Sequence, residues 1–178
     1  AICKGYIDSI DSTISDWSLV NDTLYRDQKI IDLLNMSAGD QKYLKNSNFK
    51  DGGNTDILTA SEAMLKMSNK QKSNKKFNYN GLVPHLLLNY ILYKTGDDFE
   101  LLLNDIFQND VKIKNSIYFY KHPNKSKDVG NANSMFFATR YDYLRIAKTM
   151  LDDWNNNTCL GQYLKNLNKN KILKNERW

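Results

Sequence analysis

The sequence has few of the residues that build covalent cross-links or metal sites. Its 178 residues include two cysteines, two histidines and two prolines. Cys3 and Cys159 lie far apart with no Cys-x-x-Cys pair, and isolated cysteines of this kind are more often buried thiols than a disulfide. His85 and His122 have no other ligand types at zinc spacing, so we expect no metal site. We also expect no cofactor.

Long apolar runs are missing as well. No stretch of about 18 apolar residues occurs, so we expect no membrane span in this chain. Residues 1–25 lack the basic, apolar and small-residue succession of a signal peptide, although a fragment could have lost one.

Charge of a single sign is not concentrated anywhere. The formal net charge is +5, from 25 basic and 20 acidic residues that are well mixed along the chain. The densest basic patch, residues 66–76, lies in a polar stretch without a nucleic-acid-binding motif, so we interpret it as a solvated loop and expect no nucleic-acid partner. The alternative, a basic helical nucleic-acid binder, predicts binding that weakens steeply with salt.

What the sequence does have is the composition of a globular chain, with 41% apolar, 25% charged and 12% aromatic residues. Helical periodicity predicts a mainly α structure. The strand signal is weak, and residues 113–120 are its best candidate. Helices are predicted over residues 27–36, 60–68, 82–95, 98–109 and 140–154, with a shorter one at 160–167.

Two of these helices allow finer predictions. The helix at 82–95 has apolar residues on nearly all sides and is therefore expected to be central. The helix at 140–154 begins after Thr139, a capping residue, with Asp142 three positions later. Its inner face is predicted to consist of Leu144, Ala147, Leu151 and Trp154.

The most informative segment is Phe77-Asn78-Tyr79-Asn80-Gly81-Leu82, directly ahead of the central helix. It places a tyrosine of exposed type where a rigid element can hold a phenol in a cleft. The segment resembles the tyrosine segment of the beta-lactamase-related serine hydrolases, the family of class C beta-lactamases, esterases and penicillin-binding proteins. In that family it reads Phe-x-Tyr-Ser-Asn and continues into a helix that ends in a Thr-Gly turn.

Three further segments are similar to that family, in the right order. Residues 1–11 look like the end of the nucleophile-bearing helix and the turn that follows it. Residues 30–39 are similar to its Leu-Leu-x-Met-x-Ser-Gly helix. Residues 134–144 look like its Phe-x-Ala-Thr-x-x-Asp-Leu turn into a helix. Together the four segments span nearly the whole chain.

The resemblance implies that residues 1–178 are a single partial domain. This domain would be the helical portion of the α/β (α+β) beta-lactamase/transpeptidase-like fold, with the main sheet largely missing. The parent would be a serine hydrolase that cleaves a small-molecule amide or ester through an acyl-enzyme, and the fragment alone would be inactive. The nucleophile in Ser-x-x-Lys would precede Ala1, and a Lys-Thr-Gly or His-x-Gly strand would follow Trp178. The family usually works outside the cytoplasm, in bacteria typically the periplasm; substrate, compartment and oligomeric state stay open.

Within the chain, the resemblance assigns a catalytic role to Tyr79 and substrate binding to Asn80. A serine hydroxyl needs a base to take its proton, and a phenol, which titrates near ~10, is brought toward working pH by an adjacent ammonium. The family has Ser and Asn where this chain has Asn80 and Gly81, which puts turnover of a beta-lactam in doubt. Without the resemblance, Tyr79 is a packing or surface tyrosine and Asn80 a helix cap.

Three short matches to the other family motifs are interpreted as coincidences. Two Ser-x-x-Lys matches, at residues 47–50 and 73–76, lie in polar surroundings rather than at the head of an apolar helix. Residues 94–96 read Lys-Thr-Gly but end a helix, whereas the family's motif needs a strand.

The alternative function is a non-catalytic helical binding protein or a decayed relative. If the chain is a fragment, it is expected in isolation to expose the face that packs on the missing sheet and to aggregate or stay partly molten, whereas a cooperative, monomeric thermal transition would count against truncation.

Overall fold

The computed structural model describes residues 1–21, 23, 25–38, 76–77, 79, 82–115, 136 and 138–171. This part of the chain is mainly helical, as predicted, and contains no strand or sheet. Short 3₁₀ helices occur at Ile2–Lys4, Ser18–Val20 and Gly96–Asp98. The α-helices are α1 (Ile30–Leu34), α2 (Leu82–Thr95), α3 (Phe99–Asn104, continued by a π-helical segment at Asp105–Asp110), α4 (Arg140–Asn156) and α5 (Cys159–Lys169).

The observed helices follow the predicted ones closely where the sequence pattern is long. The prediction at 82–95 is confirmed as α2, and those at 140–154 and 160–167 are confirmed as α4 and α5, each slightly longer. The prediction at 98–109 is confirmed as α3 and its π-helical continuation. The helix predicted at 60–68 lies outside the described residues. Residues 113–115 form no strand, and the rest of the 113–120 prediction lies outside them too.

The helix predicted at 27–36 is confirmed only over five residues. The backbone of Lys29 is extended and pairs with Thr13 in an isolated antiparallel bridge. Beyond α1, Met36 adopts the left-handed conformation with φ 51°, which stops the helix. Two backbone hydrogen bonds close this end, from Met36 to the Leu33 carbonyl and from Ser37 to the Asp32 carbonyl. This is the Schellman arrangement, with methionine where glycine is usual.

Helix α2 lies at the centre of the core, as its apolar sequence predicts. Val83, Leu86 and Tyr90 are buried in it against α1 and the N-terminal segment. Because burial of each large apolar side chain is worth about 1.5–3 kcal/mol, this cluster organises the described fold. Its buried members are Ile7, Ile14, Trp17, Val20, Tyr25, Ile30, Leu33, Ala38, Val83, Leu86 and Tyr90.

A polar anchor fixes the N-terminal segment to the far end of α2. The Asp16 carboxylate accepts hydrogen bonds from the Tyr90 hydroxyl and the Lys94 ammonium, both at 2.8 Å. Burial, and then the bond to Asp16, raises the pKa of the Tyr90 phenol. Tyr90 is therefore a neutral hydrogen-bond donor in this anchor rather than a base.

Helices α4 and α5 form a hairpin with a tight corner. Asn157 turns the chain with φ 53°, and Thr158 caps α5 by accepting a hydrogen bond from the Gly161 amide. A β-carbon on Gly161 would lie 1.9 Å from the Asp153 carbonyl oxygen. Only glycine therefore allows the two helices to approach this closely.

The predicted inner face of α4 is wrong. Leu144 and Leu151 are 66% and 59% exposed, and Ala147 is exposed as well, while Trp154 is half-buried. The physical reason is the Asp142 carboxylate, which is fully buried and fixes the rotation of the helix about its axis. The helix therefore turns Asp142 inward and presents an apolar face, defined here as Leu144, Ala147 and Leu151, to solvent.

The prediction of two separate thiols is also wrong. Cys3 and Cys159 form a disulfide, with their Cα atoms 5.8 Å apart. The fold brings the 3₁₀ helix at Ile2–Lys4 beside the first turn of α5, although 156 positions separate the two residues in sequence. Spacing along the chain carried no signal of this contact.

Candidate functional site

Tyr79, the predicted catalytic residue, lies at the surface ahead of the central helix. Its side chain is 63% exposed, and α2 begins three residues later. It makes no hydrogen bond or ion pair with the residues that the structure describes. The phenol is thus exposed ahead of the central helix, and the described residues form no cleft around it.

The other predicted site residue, Asn80, lies outside the described residues. The same holds for the Ser-x-x-Lys match at 47–50 and for Ser73. Of the residues preceding Tyr79, Lys76 is exposed and Phe77 is half-buried. The structure therefore places one predicted site residue, Tyr79, and does not bring it together with a described nucleophile.

The Lys-Thr-Gly match at 94–96 is a helix end, as predicted. Thr95 is the last residue of α2, and its hydroxyl donates back to the Ile91 carbonyl at 2.9 Å. Gly96 has φ 53°, the left-handed conformation that stops helices. Lys94 is already engaged by Asp16. These three residues do not form a strand edge beside Tyr79.

Asp142, in the segment at 134–144, holds the start of α4 in place. Its carboxylate accepts hydrogen bonds from the Thr139 hydroxyl at 2.7 Å and from the Asn115 amide at 3.1 Å, and it pairs with Arg145 at 2.7 Å. The bond from Thr139, and next that from Asn115, lowers the pKa of Asp142 to about 2. A buried carboxylate with all these donors is a structural group and is not poised to move a proton.

The sequence did not predict the contacts that Asp142 makes with a distant segment of the chain. Its pairing with Thr139 is a local cap and was predicted from spacing. Its contacts with the Asn115 side chain and the Lys114 amide join α4 to the segment after α3. No local pattern carries such a contact, because the two segments are more than 25 positions apart.

Groups that could hold a metal do not come together in the described part of the chain, where no cluster of three or more His, Cys, Asp or Glu side chains occurs. None of the described helices is long and apolar enough to cross a membrane.

Comparison with known proteins leaves the family open. No protein-family model, no curated protein and no solved structure matches this chain. The class that the description defines is a mainly helical protein with an exposed tyrosine ahead of its central helix, and the serine-hydrolase assignment stays a prediction.

Proposed function

We propose that this chain is the helical part of a beta-lactamase-related serine hydrolase that cleaves an amide or ester bond through an acyl-enzyme. Tyr79 would take part in proton transfer, and Asn80 would contact the substrate. The nucleophilic serine would come from a Ser-x-x-Lys motif ahead of Ala1, and a strand motif would follow Trp178.

The observation that supports this proposal best is the position of Tyr79. Its hydroxyl is on an exposed side chain, while the helix that follows is fixed in the core through Val83 and Leu86. A catalytic group must be held by a rigid element and yet reach the reacting atoms. The exposure of Tyr79 and its position three residues ahead of α2 support this role, whereas Tyr90 is buried and bonded to Asp16.

Some of the groups that carry out the reaction would lie in this chain and the others in the rest of the parent protein. The serine oxygen attacks the carbonyl carbon while its proton passes to a base, since an unassisted hydroxyl is a weak nucleophile. The Tyr79 phenol oxygen would relay that proton to the departing nitrogen or oxygen. Water then attacks the acyl-enzyme, and the same groups return the proton to the serine.

The disulfide supports an extracytoplasmic location for the parent. The bond between Cys3 and Cys159 forms and persists in oxidising compartments, whereas cytosolic thiols are kept reduced. This agrees with the location usual for the family.

A second candidate function is a non-catalytic helical interaction protein. The observation in its favour is the apolar face of α4, Leu144, Ala147 and Leu151, which no described residue covers. Exposed apolar surface that follows a helical period is typical of a face that packs on a partner. Under the hydrolase proposal the same face would pack on the absent sheet.

The two candidates differ in what Tyr79 does. The full parent protein is assayed with a p-nitrophenyl ester and a chromogenic cephalosporin, and Tyr79→Phe is compared with Tyr141→Phe. Tyr141 is also exposed, at 75%, and is far along the chain in α4, so it is the matched control. We expect Tyr79→Phe to lower kcat/KM by about 10²–10⁴, the range of general acid–base catalysis, and Tyr141→Phe to leave it unchanged.

An active parent in which both variants keep full activity would remove Tyr79 from the mechanism. A parent without hydrolytic activity on either substrate, combined with a partner that protects the α4 face from hydrogen exchange, would favour the interaction protein.

A further inference from the structure

We propose that a cavity between the N-terminal segment, α2 and the α4–α5 hairpin binds an apolar molecule that carries an amine. The cavity has a volume of about 770 Å³, within the 300–1,000 Å³ typical of small-molecule sites. Tyr79 is not among its lining residues, so this site is separate from the proposed catalytic position.

The walls of the cavity are mostly apolar. Ile2 comes from the N-terminal segment, Leu87 and Ile91 from α2, and Leu160 and Tyr163 from α5. Leu87 and Ile91 pack against the core cluster on one side and are only half-buried, and both line this space. Such a lining favours a ligand with an aliphatic or aromatic body.

One wall of the cavity contains a covalent cross-link. Cys3 and Cys159, joined by the disulfide, both line the cavity. The bond ties the first turn of α5 to the N-terminal segment, so the space is maintained between elements that are far apart in sequence. A site that is largely formed before its ligand arrives loses little free energy to ordering on binding.

The polar part of the lining favours a cation. Asp153 lies in the last turn of α4, which contains no basic residue, and the partial negative charge of a helix C-terminus adds to that of its carboxylate. The carboxylate accepts the Thr158 hydroxyl at 2.6 Å and has no ion-pair partner among the described residues. An ammonium group placed here would gain both interactions.

The cation already in the lining, Lys4, does not compensate this charge. Lys4 is bonded to Asp105 at 2.5 Å and reaches Asp110, another lining carboxylate, at 3.5 Å. The lining thus offers carboxylate to an incoming amine and little to an anion.

Three eight-carbon probes that differ only in their polar end test the proposal: octylamine, 1-octanol and octanoate. Binding of each is measured by calorimetry at pH 7, with the 178-residue chain where size-exclusion chromatography and near-ultraviolet circular dichroism show it to be monomeric and folded, and with the full parent protein where they do not. We expect octylamine to bind about tenfold more tightly than 1-octanol, as for one hydrogen bond to a charged group, and octanoate to bind most weakly.

Asp153→Asn keeps an oxygen for the Thr158 hydroxyl but removes the charge, so it should abolish the preference for the amine and leave 1-octanol binding unchanged. Asp152→Asn is the matched control. Its carboxylate is one residue away, exposed, paired with Lys148 and outside the lining, and the variant should keep the tenfold preference. Circular dichroism checks that both variants are folded.

Four outcomes would overturn the proposal. Equal affinity for the three probes, or an amine preference that survives Asp153→Asn, would remove the cation site. No binding of any probe would remove the site altogether. Binding to the 178-residue chain that disappears in a longer parent chain would mean that protein, rather than a small molecule, fills the cavity. None of these outcomes depends on Tyr79 or on hydrolytic activity.

Discussion

Loss of the Cys3–Cys159 disulfide should lower the stability of this chain more than any single change in a surface residue. The bond joins positions separated by 156 residues, nearly the full length of the chain. Cross-linking a loop of this length removes chain entropy from the unfolded state worth about 5 kcal/mol at 25 °C, and measured losses run from about 2 to 5 kcal/mol. For a domain of this size such a loss lowers the Tm by roughly 5–15 °C.

The structure also indicates which helix should become less protected from hydrogen exchange when the disulfide is absent. Among the described residues, hydrogen bonds also tie the α4–α5 hairpin to the rest of the fold: the Asn35 side chain donates to the Asn170 carbonyl at 3.0 Å, and Asp142 accepts from Asn115 at the other end. Without the disulfide, amide protons of α5 should therefore exchange faster than those of α2.

The assay is urea denaturation of the oxidised chain, the chain reduced with dithiothreitol, and the Cys3→Ser/Cys159→Ser double variant. Fluorescence reports both regions, since Trp17 is in the core and Trp154 is half-buried beside α5. We expect the reduced chain and the double variant to agree with each other, and the double variant to be insensitive to dithiothreitol. Two thiols that titrate in the unreduced protein, or an unfolding midpoint that reduction leaves unchanged, would refute the reasoning.

Three further predictions concern the α4–α5 hairpin. Gly161→Ala places a β-carbon against backbone and should cost about 1–3 kcal/mol of unfolding free energy in urea. Asn155→Ala, at an exposed position of α4, should stay within about 0.5 kcal/mol, and equal effects of the two variants would contradict this packing. The lowered pKa of Asp142 means that its contribution to stability is complete above about pH 4 and is lost as pH falls toward 2. In the Asp142→Asn variant, the free energy of unfolding should therefore change less across that pH range. A pH dependence equal to that of the unmodified chain would refute this role. Replacing Leu144 and Leu151 with lysine should raise the monomer fraction in size-exclusion chromatography without lowering the Tm, and a large drop in Tm would show that the face is packed after all.

Local patterns predicted the helices well but not the contacts between them. The α2 sequence is apolar on nearly all sides, which fixed both its bounds and its central position. The inner face of α4 was predicted from its apolar stripe and was wrong, because the buried carboxylate of Asp142 decides the rotation of that helix. A stripe of leucines indicates what a helix would bury if a partner were present, and the described residues do not supply that partner.

The candidate site was predictable only in part. The exposed phenol of Tyr79 ahead of a buried helix follows from a short polar segment next to a long apolar one. The disulfide and the cavity beside it could not be predicted, because each depends on residues brought together from opposite ends of the sequence. Such contacts depend on tertiary structure and leave no periodic signal.

The central claim is that this chain is the helical part of a serine hydrolase, and the sequence of the parent reading frame tests it most directly. The account predicts a Ser-x-x-Lys motif at the head of an apolar helix shortly before Ala1, and a strand with His-x-Gly or Lys-Thr-Gly after Trp178. A reading frame that starts near Ala1 and stops after Trp178 would leave no nucleophile for Tyr79 to assist and would contradict the claim.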